Sequence, residues 1–190
     1  ETSNGKLTFY LKNSANGAIS TAVTVKYKID KTAPTAEVTL NERSQFQTVL
    51  NRISFGLFYN EEVRVKLTAK DEASGIRSIG YYKSDRVLTE ADVRAITDWT
   101  EKDSLNIAAK DKDRFIVYVR VEDNAGNVTY IGSDGAIFDT AAPEISGVEN
   151  KKTYYVTRRM QVTDDNLQTV TVNDTKVGSS FLLAGDLDIT

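Results

Sequence analysis

Both prolines of this 190-residue chain end the same kind of string, Asp30-Lys31-Thr32-Ala33-Pro34 and Asp139-Thr140-Ala141-Ala142-Pro143. They stand 143 − 34 = 109 positions apart, each after an Asp and a Thr and each before an extended segment. Proline fixes its own φ and restricts the residue before it, so each string predicts a stiff junction rather than a helix or a central strand. A repeat of about this length suits one β-sandwich, so the spacing predicts tandem units cut out of phase.

The segments between these marks read as strands. Val63, Val65, Leu67 and Ala69 alternate with Arg64, Lys66, Thr68 and Lys70, the period-two pattern of a half-buried strand over residues 62–70. Further strands are expected at 35–40, 53–59, 76–83 and 136–139, with a short one at Leu105 and Ile107 and a polar loop over 41–47. Residues 114–122 and 127–131 predict a hairpin around Asp123-Asn124-Ala125-Gly126-Asn127, since Asn and Gly accept positive φ. Phe55, Leu57 and Phe58 are expected in the core. Thr89-Glu90-Ala91-Asp92-Val93-Arg94-Ala95-Ile96 breaks the strand pattern. Thr89 can cap, the acids suit a first turn, and the apolar residues fall at helical spacing, which predicts one short helix.

Ahead of Pro34, residues 6–11 and 20–29 predict a hairpin, marginal alone because two strands cannot bury a core. After Pro143, short strands are expected at 144–148, 153–162, 169–172 and 176–183, with a hairpin turn at Asn173-Asp174-Thr175. The expected organisation is therefore a closing hairpin over 1–33, a complete sandwich over 34–141 and the opening strands of another over 142–190. The missing initiator Met and signal peptide predict a piece of a longer protein.

Composition removes several classes of chemistry. There is no Cys and no His, so disulfide, thiol, zinc-cysteine and histidine-based chemistry are excluded. The net charge is −3 with signs interspersed, which argues against nucleic acid and anionic membranes as partners. No apolar run approaches the roughly 20 residues of a membrane-spanning helix.

The strings Ile29-Asp30-Lys31-Thr32-Ala33-Pro34, Asp71-Glu72-Ala73-Ser74-Gly75-Ile76, Asp123-Asn124-Ala125-Gly126-Asn127-Val128-Thr129 and Thr153-Tyr154-Tyr155-Val156-Thr157 together resemble bacterial immunoglobulin-like repeats. Such repeats occur in large surface proteins of Gram-positive bacteria, adhesins and wall-anchored enzymes among them. The resemblance implies an all-β chain of tandem immunoglobulin-like sandwiches, and the short helix read from residues 89–96 then falls in the central one. It further implies an extracellular, cell-wall location, a non-catalytic stalk or adhesive role, and host glycans, matrix proteins or neighbouring modules as partners. An accessory carbohydrate-binding module of a secreted or wall-anchored glycoside hydrolase is the alternative it leaves open.

Candidate sites are few, and each has a plainer reading. Asp30, Asp71, Asp123 and Asp139, with Glu72 and Asn124, could supply oxygens to Ca²⁺ at junctions. The same side chains cap turns by accepting from nearby N–H groups, and no EF-hand spacing is present. Asp164-Asp165-Asn166 reads the same way. Trp99, Tyr81 and Tyr82, with Tyr130, could form a platform for a sugar ring, or could pack beside the helix. Carboxylates are plentiful, but they fall at turns and on outward positions rather than in a catalytic pair, so no enzyme is expected. A Lys–Asn isopeptide bond would need a buried triad that the sequence does not place. Asn127-Val128-Thr129 and Asn173-Asp174-Thr175 match a glycosylation sequon but are ordinary strand and turn chemistry.

Overall fold

A computed structural model of the chain describes residues 3–44, 46–48 and 50–183. The architecture is all-β, with several sheets and one short α-helix among the described residues. β1 (Ser3–Phe9) and β2 (Val23–Ile29) form an antiparallel hairpin in the register Ser3↔Ile29 to Phe9↔Val23. Its turn is held by Asn13, whose Oδ1 accepts from the N–H groups of Ala15 and Asn16. Alternation puts Leu7, Phe9, Val23, Val25 and Tyr27 on one face and Lys6, Thr8, Thr24, Lys26 and Lys28 on the other.

From Thr35 to Asp139 two sheets pack face to face. The first runs β4 (Arg43–Ser44), β3 (Thr35–Leu40), β7 (Val63–Lys70), β9 (Ser104–Ile107). The second runs β5 (Phe46–Gln47), β11 (Val128–Ser133), β10 (Arg114–Asp123), β12 (Gly135–Phe138), β6 (Phe55–Tyr59), and β8 (Ile76–Ser84) also pairs with β10. The core lies between them. Val38, Leu40, Val63, Val65, Leu67 and Ile107 of the first sheet meet Phe115, Val117, Val119, Val121 and Ile131 of the second. β7 alternates buried and exposed as its period-two pattern requires.

β10 is different, being buried continuously from Phe115 to Val119. The reason lies on its far side. Ile116 and Tyr118 point away from the sandwich into a second cluster with Leu50, Ile53, Leu88 and Val93. α1 (Glu90–Ala95) roofs this cluster with a fully buried Val93. It starts at a capping box in which Thr89 accepts from the Asp92 N–H and the Asp92 carboxylate accepts from Thr89. Leu88 N–H donates to the Tyr118 hydroxyl at 2.7 Å, tying the helix approach to the centre of β10.

β12 runs parallel to β6, in the register Ala136↔Leu57 to Phe138↔Tyr59. Gly135 allows the approach, since a Cβ there would lie 2.6 Å from the Phe55 ring and 3.0 Å from its Cα. After Pro143, β13 (Glu144–Ser146), β14 (Arg158–Thr163) and β17 (Ser180–Leu183) form a three-stranded antiparallel sheet. β15 (Val170–Val172) and β16 (Thr175–Val177) form a hairpin around Asn173 and Asp174, both at positive φ.

Four expectations are corrected. Phe58 is 52% exposed, because β6 starts at Phe55 and its alternation turns Phe55, Leu57 and Tyr59 inward instead. The strand expected over 153–162 begins only at Arg158. Before it, Tyr154 organises a loop: its hydroxyl accepts from the Glu149 N–H, and Lys152 and Arg158 lie against its ring. The polar stretch 41–47 is not all loop but supplies β4 and β5. The strand from Glu144 ends at Ser146, because Gly147 takes a φ of +84°.

Candidate functional site

The junction Asp30–Pro34 runs past the tip of the β10–β11 hairpin, and three loops converge there. Asp30 follows β2, Asp71 follows β7, and Asp123 ends β10. A carboxylate oxygen from each lies within 4.8 Å of the others. Asp123 is fully buried and Asp30 nearly so, at 8% exposure.

Each carboxylate is oriented by its own turn. Asp71 Oδ1 accepts from the N–H groups of Ala73, Ser74 and Gly75 at 3.2, 2.8 and 2.7 Å. Asp123 Oδ1 accepts from Ala125 N–H and Asn127 N–H, and its Oδ2 from the Asn127 side-chain amide at 2.7 Å. Asp30 Oδ1 accepts from Thr32 N–H. Burial pushes the Asp123 carboxyl up. The side-chain and backbone bonds from Asn127 and the bond from Ala125 outweigh it, so the carboxyl sits below its ordinary value, with the nearby Asp30 charge opposing.

Asn127 is the hinge pin. Its amide also donates to the carbonyls of Asp30 and Thr32 at 3.3 and 3.2 Å, and the Thr129 hydroxyl donates to the Pro34 carbonyl. Main chain from the junction is thereby fastened to the hairpin tip. The sequence reading of the aspartates passes over Asn127 and Thr129, although Asn127 closes the Asp-Asn-Ala-Gly-Asn turn right after Gly126, which is at positive φ. That local signal is available in the chain; the partner carbonyls 95 and 97 residues away are not.

The donor set suits a hard cation. Carboxylates from three loops, with oxygens close enough to share a centre, match the oxygen preference of Ca²⁺, whereas softer metals would want His or Cys. Asp30, Asp71 and Asp123 are the residues that could hold one. Asp139 stands apart, at the second junction, where its Oδ2 accepts from the Asn166 amide at 2.7 Å. Lys112 pairs there with Asp165 at 2.8 Å, and an adjoining cleft of about 650 Å³ is lined by Phe58, Tyr59, Asp139 and Asn166. Asp164 Oδ1 caps its own turn through Asn166 N–H. Glu72 pairs with Lys70 on the surface, and Asn124 donates to the Ser74 and Gly75 carbonyls.

The aromatic candidates split between two faces of β8. Tyr82, Trp99 and Tyr130 pack on the cluster under α1, with Trp99 and Tyr130 ring centroids 6.0 Å apart. Tyr81 turns the other way, onto the sandwich core. Trp99 Nε1–H donates to the Ile96 carbonyl at 2.9 Å, and Arg94 lies over the Tyr130 ring. No helix of the described residues is long and apolar enough to cross a membrane. No protein-family model matches this sequence, and no curated protein is detectably similar to it.

Proposed function

We propose that this chain is a non-catalytic run of tandem immunoglobulin-like modules in a bacterial cell-surface protein. It serves as a stalk or spacer and presents adhesive surface to host material. The observation that supports it most is the fastened junction. Asn127 and Thr129 tie the Asp30–Pro34 linker to the hairpin tip of the following sandwich, and the same Asp-to-Pro string recurs after that sandwich. A spacer needs linkers whose direction is set by the unit that follows, and side-chain-to-main-chain bonds across a linker limit its bending. In the same reading, calcium bound by Asp30, Asp71 and Asp123 would stiffen that joint further.

The test is solution scattering of the 190-residue chain beside Asn127→Ala/Thr129→Ala. The spacer reading expects one well-defined maximum dimension in the parent and a broader distance distribution in the variant. Identical curves would refute it. The alternative reading, an accessory carbohydrate-binding module, predicts saturable glycan binding lost in Trp99→Ala. The internal bond of the Trp99 indole and its packing under α1 favour a core role for that residue.

A further inference from the structure

The second junction opens onto a cleft. The end of β6, the residue after β12 and the loop after β14 wall a space of about 650 Å³, within the roughly 300–1,000 Å³ of small-molecule sites. Its chemistry comes from Phe58, Asn60, Asp139, Asp165, Asn166 and Gln168. Phe58 turns outward by the alternation of β6 and is 52% exposed. A lone exposed ring is ordinary on a protein surface. This one stands in a wall whose other polar side chains are three amides and two carboxylates, with no Lys or Arg among the lining residues.

The walls are tied to one another. Asp139 N–H donates to the Tyr59 carbonyl at 2.9 Å, which holds the residue after β12 beside the end of β6. The Asp139 carboxylate accepts from the Asn166 amide at 2.7 Å, joining it to the loop opposite. Asn166 N–H donates to Asp164 Oδ1, and Lys112 pairs with Asp165 at 2.8 Å, so the loop is held at two further points. A ligand entering such a cleft has little protein to order, which lowers the cost of binding.

A sugar ring matches each part of this wall. One face of a pyranose is a flat array of C–H groups, which lies favourably on the negative face of an aromatic ring. Its rim carries hydroxyls that both donate and accept. Amides offer both functions and a carboxylate accepts from hydroxyls, so Asn60, Gln168 and Asp139 suit that rim. The carboxylates, with no cation in the lining, repel an acidic sugar. We infer that this cleft binds a neutral saccharide, stacked on Phe58 and held at its hydroxyls by Asn60, Asp139 and Gln168. The inference rests on the adhesive half of the proposed function and gives it a place and a ligand class. The spacer half, read by scattering of the Asn127→Ala/Thr129→Ala variant, stands or falls without it.

The experiment is a two-dimensional NMR titration of the isotope-labelled 190-residue chain. The probes are lactose, maltose, cellobiose and diacetylchitobiose, with sialyllactose as the acidic counterpart of lactose. At least one neutral disaccharide is expected to shift the amides of residues 58–60, 139 and 165–168 saturably, with a dissociation constant on the order of 1 mM. The Trp99 indole signal should stay in place. Phe58→Ala should weaken binding about tenfold, and Phe58→Tyr should restore it. The ring points outward, so Trp99 emission should report a folded sandwich in both variants. The inference is overturned if none of the four neutral sugars gives a saturable shift, or if Phe58→Ala binds as well as the parent. Shifts centred on Trp99 overturn it too, moving sugar binding to the aromatic cluster under α1. Sialyllactose binding as tightly as lactose would refute the charge argument and with it the ligand class.

Discussion

Replacing Asn127 with Ala tests the junction most directly. The amide donates to a buried carboxylate at 2.7 Å and shares its other hydrogen between two carbonyls at 3.3 and 3.2 Å. A bond to a charged acceptor contributes about 1.5–3 kcal/mol and a long shared one about 0.5 kcal/mol. The variant also leaves Asp123, fully buried, short of a donor. The backbone bonds from Ala125 and Asn127 to Oδ1 remain, so the carboxylate is not stranded. The expected loss is about 2–3 kcal/mol, a large part of the roughly 5–15 kcal/mol that holds a domain. Urea unfolding followed by Trp99, the single Trp of the chain, reads the sandwich to which Asn127 belongs. The midpoint should fall with an unchanged slope. A loss below about 0.5 kcal/mol would refute the reasoning, because such values are those of an ordinary surface substitution.

Three further outcomes are expected. The Asp123 carboxyl is held below its ordinary 3.8, so its contribution to stability is present above that pH and is lost as the pH falls through the lower folded value. Acid unfolding of Asn127→Ala, followed by Trp99 fluorescence, should therefore begin at higher pH than in the parent. Tyr118→Phe removes the acceptor of a buried Leu88 N–H and should cost about 1–3 kcal/mol in the same urea assay, although no apolar contact is lost. Calcium at tenfold excess over its dissociation constant should stabilise the parent by about 1.4 kcal/mol, and chelator should reverse the gain. Asp71→Asn should show no calcium response, and equal midpoints with and without calcium in the parent would assign the three aspartates to turn capping alone.

Strands were legible wherever one face meets water. β7 carries its burial in its alternation, and Thr89 and Asp92 mark the helix start through purely local chemistry. β10 was legible as a strand but not as one covered on both faces. Nothing local to Ile116 and Tyr118 says that a helix 20 to 30 residues earlier folds over them. Phe58 misled because an apolar run gives no phase, and the phase of β6 is set by its pairing with β12, far off in sequence. The same limit governs the site. Asp30, Asp71 and Asp123 were recognisable singly as turn residues, and their convergence depends on three loops meeting at one end of a sandwich. The leading hairpin was readable over 6–11 and 20–29, but its pairing sets the strands at Ser3–Phe9 and Val23–Ile29, three residues earlier at the start of the first and three later at the start of the second.

The parallel pairing of β12 with β6 decides how the sandwich responds to tension. A pull transmitted from Pro143 enters β12 along its own axis. The rungs Ala136↔Leu57, Ile137↔Phe58 and Phe138↔Tyr59 stand side by side across that direction, with Arg114↔Ile137 and Phe115↔Ala136 on the other flank. They carry the load together, so a short slip must break them all at once. The leading hairpin is arranged the opposite way. Its ends, Ser3 and Ile29, face each other, so a pull between them opens one rung at a time from Ser3↔Ile29 toward Phe9↔Val23. Stretched from both sides, the chain has an element that gives way at low force placed ahead of one that holds.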